Sequence, residues 1–186
     1  MTRPSDGDNT GHGLRTPLEG VSAKPITLGQ PIAAPLHLIS PTVPREWVDY
    51  NGHMSESCYL LAFGDQSDAF FRMIGIDEAY RAGGHSLFTV QTMIFNLAEA
   101  HLGDRLDLAL HLIDADEKRL HIFIRILKGG EPVATLEQML LHVDMAAGKT
   151  CPAPKAILDR LLPIAKAHAT LPRPEAAGRF VGQKKG

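Results

Sequence analysis

The segment 48–55 (VDYNGHMS) combines residue types that could carry acid–base chemistry. It places a carboxylate (Asp49), an amide (Asn51), a glycine (Gly52) and an imidazole (His53) directly before a long apolar segment. A positioned carboxylate can accept a proton from water, and the unpaired N–H groups of a helix start can stabilise a developing negative charge. Aspartate and asparagine also favour helix caps and Asx-turns for local reasons, so a purely structural role is the alternative.

The elements that must position this segment follow from hydrophobic periodicity. A long helix is predicted over residues 55–74, where apolar positions recur at steps of three and four and Gly75 provides a stop. Its other positions are mostly apolar too, which predicts burial on nearly all sides. Alternating segments with hairpin-length connections predict an antiparallel sheet. The predicted strands cover residues 36–40, 86–97, 106–113, 119–126 and 133–144, and a final helix covers 153–168. This order of elements predicts an α+β fold.

Length and composition limit the classes of protein that fit. A chain of 186 residues suits one domain, and residues 1–35 and 169–186 lack periodicity, so we expect tails flanking a folded domain at 36–168. A formal net charge of -2 without a basic stripe argues against nucleic acid and anionic membranes as partners. Two cysteines do not indicate a disulfide framework, and no apolar run resembles a signal peptide or a membrane span. We therefore expect a cytoplasmic location.

A specific resemblance covers residues 36–160. The motif D-x-N-G-H-M-x-E (49–56), followed by a tyrosine-bearing helix and an antiparallel sheet, resembles the hotdog-fold acyl-CoA thioesterases of the 4-hydroxybenzoyl-CoA thioesterase superfamily. Segments 84–94, 114–123 and 134–144 further resemble the betainyl-CoA thioesterases of carnitine catabolism. The resemblance implies a sheet wrapped around one long central helix and hydrolysis of a small acyl-CoA thioester, betainyl-CoA in the closer match, to free acid and coenzyme A. It implies no cofactor.

The resemblance also implies roles for individual residues. In the resembling enzymes the aspartate that matches Asp49 is the general base or nucleophile, and backbone amides that match Gly52 to Met54 polarise the thioester carbonyl. We expect His53 to orient the acid or the water. Family members commonly carry asparagine where this chain has Ser55, which leaves a non-catalytic acyl-CoA-binding hotdog protein as the alternative. The residues expected to bind substrate are Trp47, Tyr50, Asn51, Met54, Ser55, Tyr59, Gln91, Glu99 and Arg119.

A trimethylammonium acyl group would require aromatic side chains, because a quaternary cation is attracted to ring faces and accepts no hydrogen bond. The candidate rings are Trp47, Tyr50, Phe88 and Phe95, with core packing as the alternative for each. Trp47 and Tyr50 are favoured because they flank the aspartate of the motif.

Three further expectations concern charge, metal and assembly. Arg119 either contacts the phosphates of coenzyme A or is a solvated charge at a hairpin end. Glu137 lies on an apolar strand face, so it is either paired across strands, for example with Arg119 or Arg125, or kept in a site with a raised pKa. The histidines form no metal-binding motif, which predicts no metal site. An exposed sheet edge predicts a homodimer or dimer of dimers, with Asp49 facing Glu99 or Gln91 of a neighbour.

Overall fold

The computed structural model describes residues 25–182 and contains one antiparallel sheet, one long helix and two shorter helices. The helices are α1 (Glu56–Ile74), α2 (Glu78–Ala82) and α3 (Lys155–His168), and a single 3-10 turn covers Arg45–Trp47. The strands are β1 (His85–Asn96), β2 (Asp107–Ala115), β3 (Arg119–Lys128), β4 (Glu131–Asp144) and β5 (Lys149–Thr150). The predicted α+β fold is confirmed, while α2 and β5 are too short to be recognised from periodicity.

The sheet has the strand order β1-β4-β3-β2, and all of its pairs are antiparallel. Alternation along the strands sends leucine and isoleucine side chains to one face, where they form the core with α1. The predicted burial of α1 is confirmed for all but its first turns, since only Glu56, Ser57 and Leu60 are exposed. The start of the helix therefore faces solvent, although its body is enclosed.

The two outer strands of the sheet differ in how their edges are covered. Segment 36–43 runs along the edge of β2, with reciprocal hydrogen bonds between Leu36 and Leu110 and a bond from Leu106 N to Pro41 O. It forms isolated bridges and no continuous strand, so the prediction of a strand at 36–40 is corrected. Among the described residues, β1 pairs on one side only, with β4. The twelve residues of β1 thus leave a long edge without a partner strand.

The described parts of the segments expected to be tails contact the folded domain at several positions. Ile26 N donates to Met73 O at 2.9 Å, and Gly178 N donates to a carboxylate oxygen of Glu137 at 2.8 Å. Residues 25–35 and 169–182 therefore extend the folded unit beyond the predicted boundaries at 36 and 168, and the remaining tail residues lie outside the described part of the chain. Within residues 25–182, no helix combines the length and apolarity needed to cross a membrane.

Candidate active site at the start of the central helix

The motif segment forms a tight turn ahead of α1. Val48 and Met54 bridge in antiparallel fashion, Asp49 N donates to His53 O at 2.9 Å, and Gly52 N donates to Asp49 O at 3.1 Å. Gly52 has a φ of +81°, a left-handed conformation that side chains other than glycine rarely adopt. The glycine of the motif is therefore required by the turn itself, whatever its relation to a substrate.

The Asp49 carboxylate is held through only one of its oxygens. Its Oδ1 accepts the backbone N–H of Asn51 at 2.8 Å, which is an Asx-turn. Its Oδ2 accepts no hydrogen bond within residues 25–182, and the residue is partly exposed. The structural alternative for this aspartate is therefore correct as far as Oδ1 is concerned, while Oδ2 is left available to a water molecule or a substrate.

The backbone donors differ from those expected. Gly52 N donates within the turn, and Met54 N donates to Ala100 O at 2.7 Å, so neither N–H is available to a substrate. His53 N makes no hydrogen bond within the described residues. The first N–H groups of α1 also lack intrahelical acceptors, as at any helix start. The expectation of donors from Gly52 to Met54 is thus corrected to His53 and the first turn of α1.

Ser55 is the N-cap residue of α1, but its side chain makes no capping hydrogen bond. Its Oγ lies 3.4 Å from the Oγ of Ser57, and its backbone N–H donates to Trp47 O at 2.8 Å. The hydroxyl therefore supplies no amide-like contact to the turn. Serine can still donate or accept one hydrogen bond with a ligand at this position.

Glu99 lies beside the motif turn of its own chain. We had expected Glu99 of a neighbouring subunit to face Asp49, and the structure instead places Glu99 next to His53 of the same subunit. Its Oε2 is 3.2 Å from His53 Nε2, although its position is 46 residues further along the sequence. The His101 ring packs edge-on against the His53 ring with centroids 5.0 Å apart. His101 was not among the expected site residues, and the closely spaced Glu99 and His101 after a strand were the only sequence pattern that could have indicated it.

Tyr59 holds the loop that carries Glu99. Its side chain is buried, and its hydroxyl accepts the N–H of Ala100 at 3.2 Å and donates to Ala98 O at 3.4 Å. Lys128 Nζ donates to the Glu99 carbonyl at 2.8 Å. Burial raises the pKa of the Tyr59 hydroxyl, which stays protonated. The predicted substrate contact of Tyr59 is therefore replaced by a positioning role, in which the backbone around Glu99 is fixed and its carboxylate projects outward.

The aromatic side chains do not assemble into a cage within the described chain. Trp47 is 4% exposed and belongs to the core, which corrects the expectation that it contacts substrate. Tyr50 is 97% exposed in the motif turn, and Phe88 is half exposed on β1. Asn51 is exposed beside Tyr50, whereas Met54 is buried in the core. Of the four candidate rings, those of Tyr50 and Phe88 are exposed and that of Phe95, also on β1, is partly exposed.

Gln91 and Arg119 lie away from the motif turn. Gln91 lines a cavity on the outer face of the sheet together with His121 and Glu137. Arg119 donates from Nε to Asp116 Oδ2 at 2.7 Å, and this pairing lowers the pKa of the Asp116 carboxyl. Within one described chain, the structure therefore does not bring either residue together with Asp49.

Glu137 is paired, but with neither of the expected arginines. Its Oε1 lies 2.7 Å from His121 Nε2 on the adjacent strand β3, and its Oε2 accepts the N–H of Gly178. The expected pairing across strands is therefore found, but its partner is a histidine in place of Arg119 or Arg125, and the C-terminal segment supplies the second partner. A carboxylate with both oxygens satisfied on a partly buried face has a structural role.

Comparison with known proteins places the chain in a family. Residues 43–161 match the model of the thioesterase-like superfamily, and the chain belongs to that superfamily, as the motif and its hotdog fold predict. A betainyl-CoA thioesterase of Pseudomonas aeruginosa PAO1 is 41% identical over 146 residues, which cover 77% of this chain and 91% of that protein. The family expected from residues 49–56 is thereby confirmed.

Two further relatives define the range of the similarity. An L-carnitine dehydrogenase/betainyl-CoA thioesterase of Rhizobium meliloti strain 1021 is 52% identical over 155 residues, which cover 82% of this chain. The chain spans only 31% of the length of that protein. A Staphylococcus aureus protein solved in complex with CoA matches with a TM-score of 0.76 and 25% identity, covering 83% of this chain and 99% of the other.

Proposed function

We propose that the chain is an acyl-CoA thioesterase that hydrolyses betainyl-CoA to betaine and coenzyme A. The observation that carries the proposal is the Asp49 Oδ2, which has no partner among residues 25–182, in the same turn as the backbone N–H of His53, which likewise has none there, just before α1 begins. A carboxylate and a fixed donor are the two groups that thioester hydrolysis requires. The names of the relatives in Pseudomonas aeruginosa and Rhizobium meliloti support the choice of acyl group.

In the proposed reaction, Asp49 either removes a proton from the attacking water or attacks the carbonyl itself. The carbonyl oxygen becomes negative as the new C–O bond forms, and the C–S bond then breaks with release of the coenzyme A thiolate, which takes up a proton. Where water attacks, this step gives betaine directly. Where Asp49 attacks, it gives a mixed anhydride, and water then hydrolyses the anhydride to release betaine and restore the Asp49 carboxylate. His53 N–H and the first N–H groups of α1 stabilise the negative oxygen, and the helix dipole acts in the same direction. One such donor contributes about 3 kcal/mol in acyl-transfer enzymes.

Glu99 suits the cationic acyl group. Its carboxylate is 63% exposed beside His53, and its loop is fixed by Tyr59 and Lys128. A fixed anion attracts a trimethylammonium group without a hydrogen bond, and the exposed ring of Tyr50 offers a face for the same cation. We propose that Arg119 contributes to coenzyme A binding only in an assembled oligomer, because it lies away from the motif turn in the single chain.

We further propose a homodimer joined through β1. The edge of β2 is covered by segment 36–43, whereas β1 presents an unpaired edge and the exposed side chains of Phe88 and Val90. Long uncovered edges of this kind are normally paired or blocked. Two-fold pairing of β1 strands would place Gln91 and Phe88 of one subunit near the other subunit. A cytoplasmic location is proposed with it, since Cys58 and Cys151 are both free.

The decisive experiment measures release of free thiol from betainyl-CoA by Asp49→Asn. We expect turnover to fall at least about 100-fold with the fold unchanged, because a positioned acid–base group contributes at least that factor. Asp159→Asn is the matched control, because Asp159 is on α3 and, in the part of the chain that the structure describes, pairs with Lys155 alone. Asp49→Asn that folds correctly and hydrolyses betainyl-CoA at the normal rate would contradict the assignment.

The acyl group is tested with a neutral isostere. The 3,3-dimethylbutanoyl thioester has the shape of betainyl-CoA with carbon in place of the quaternary nitrogen. Cation–ring attraction is worth about 0.5 to 2 kcal/mol, so kcat/KM should favour betainyl-CoA by about 2- to 30-fold per ring. Equal values for the two thioesters would remove the betainyl assignment. Binding of both without thiol release would instead support the non-catalytic alternative.

A further inference from the structure

Three side chains with metal-binding atoms meet beside the motif turn. His53, Glu99 and His101 each offer one ligand atom, and these atoms lie within 4.8 Å of one another. We propose that this His-Glu-His cluster binds a single divalent transition-metal ion of the zinc class. The site joins a residue of the motif to two residues of the loop after β1, so no sequence motif marks it.

The donor set determines the class of ion. Two imidazoles and one carboxylate suit Zn²⁺ and its neighbours, whereas Mg²⁺ and Ca²⁺ prefer sites made of oxygen ligands alone. Zinc bonds of about 2.1 Å place ligand atoms about 3.4 Å apart in a tetrahedron. His53 Nε2 and Glu99 Oε2 are already 3.2 Å apart. The ligand atom of His101 lies within 4.8 Å of the other two, so a tetrahedral site requires a movement of this exposed side chain, and water completes the fourth position.

The cluster stands on a backbone that is already fixed. Ala100, between the two loop ligands, is fully buried and bonds to Tyr59 through its N–H and to Met54 through its carbonyl. Lys128 Nζ donates to the Glu99 carbonyl. A metal therefore needs to order only the three side chains, which lowers the entropy cost of forming the site.

Asp104 lies beside His101 and anchors its backbone. Its Oδ2 accepts the backbone N–H of His101 at 2.7 Å and lies 3.8 Å from His101 Nδ1. The backbone of the third ligand is therefore anchored before any metal binds, and a carboxylate close to a ligand histidine is the usual support in metal sites.

Metal binding has a consequence for hydrolysis, and this consequence, unlike the binding, rests on the proposed function. The ion would occupy the Glu99 carboxylate and the His53 ring next to the Asp49 turn. Both side chains would be withdrawn from a cationic substrate, and the added positive charge would repel a trimethylammonium group. Zn²⁺ is therefore expected to inhibit hydrolysis, and a chelator is expected to restore it.

The test is a calorimetric titration of tag-free, metal-free protein with a zinc salt at about pH 7.5, because metal binding competes with protons for the ligand atoms. Wild-type protein is expected to show a saturable site that His101→Ala weakens at least about tenfold, the effect of about 1.4 kcal/mol. His37→Ala is the matched control, because His37 is an exposed histidine outside the cluster. Added Co²⁺ should give the visible absorption of a nitrogen- and oxygen-ligated ion in wild type and His37→Ala only.

Two results would overturn the site. One is the absence of saturable Zn²⁺ binding by wild-type protein. The other is equal Zn²⁺ affinity of His101→Ala and wild type, which would assign the ion to other histidines. Because the titration contains no substrate, it gives the same answer whether or not the chain hydrolyses betainyl-CoA. Failure of the metal site and failure of the proposed thioesterase function are thus separate outcomes.

Discussion

Replacing Tyr59 with phenylalanine removes one oxygen atom from the contact between α1 and the loop that carries Glu99. The ring occupies the same space, but the N–H of Ala100, a residue with 0% exposure, loses its acceptor. Leaving a buried donor unsatisfied costs about 1 to 3 kcal/mol. The bond to Ala98 O is long at 3.4 Å, and Ala98 is exposed, so water replaces it at little cost. We expect Tyr59→Phe to lower the free energy of unfolding by about 1 to 3 kcal/mol.

Urea denaturation measures this free energy, and amide hydrogen exchange of Ala100 shows where the change occurs. For a domain of this size each kcal/mol lowers Tm by about 2 to 4 °C. Tyr50→Phe is the matched control, because Tyr50 is 97% exposed and should lose no stability. A loss below about 0.5 kcal/mol in Tyr59→Phe, with unchanged exchange at Ala100, would refute the reasoning, since it would mean that the amide finds another acceptor.

Three further predictions concern acid stability, a helix end and the sheet edge. Burial lowers the pKa of His168, whose Nδ1 accepts Leu112 N–H, so below about pH 6.5 unfolding takes up a proton. The free energy of unfolding should therefore be constant well above about pH 6.5 and fall below it. Denaturation experiments between about pH 7.5 and 5.5 should show a smaller slope for His168→Gln than for wild type. An unchanged slope would exclude His168 as a source. Gly75→Ala should lower Tm more than Gly84→Ala does. Both glycines have positive φ, but of the two only Gly75 would bring a Cβ into collision with Arg160. Equal losses in Tm would show that the Arg160 side chain moves away freely. Val90→Lys should disrupt the proposed dimer, as measured by sedimentation, and reduce the rate of thiol release with it. A wild-type monomer with full activity would contradict the proposed interface at the β1 edge.

The sequence by itself determined the features that depend on neighbouring residues. The steps of three and four from Tyr59 to Ile74 predicted α1, and alternation predicted the four long strands, because side-chain direction repeats every 3.6 residues in a helix and every two in a strand. The Asx-turn at Asp49 was one of the structural alternatives that residue type indicated, since it is a bond between residues two apart. The motif at 49–56 was specific enough to identify the superfamily.

Only the tertiary structure decided which distant groups meet. Glu99 and His101 reach His53 because Met54 and Tyr59 bind the Ala100 backbone, and no periodicity in either segment reports that pairing. Ala100 likewise removes the Met54 N–H from the donors that the motif suggested. Such contacts depend on loop closure and on the register of strands far apart in sequence.

The segment after α3 also makes contacts that its sequence did not predict. Residues 169–182 lack periodicity because they form no regular element, yet Gly178 bonds to Glu137 across the outer face of the sheet. Composition predicted a tail there because it reports how much apolar surface a segment can bury by itself. It does not report the polar and apolar surface that a finished sheet offers to that segment, and this surface exists only once β3 and β4 have paired.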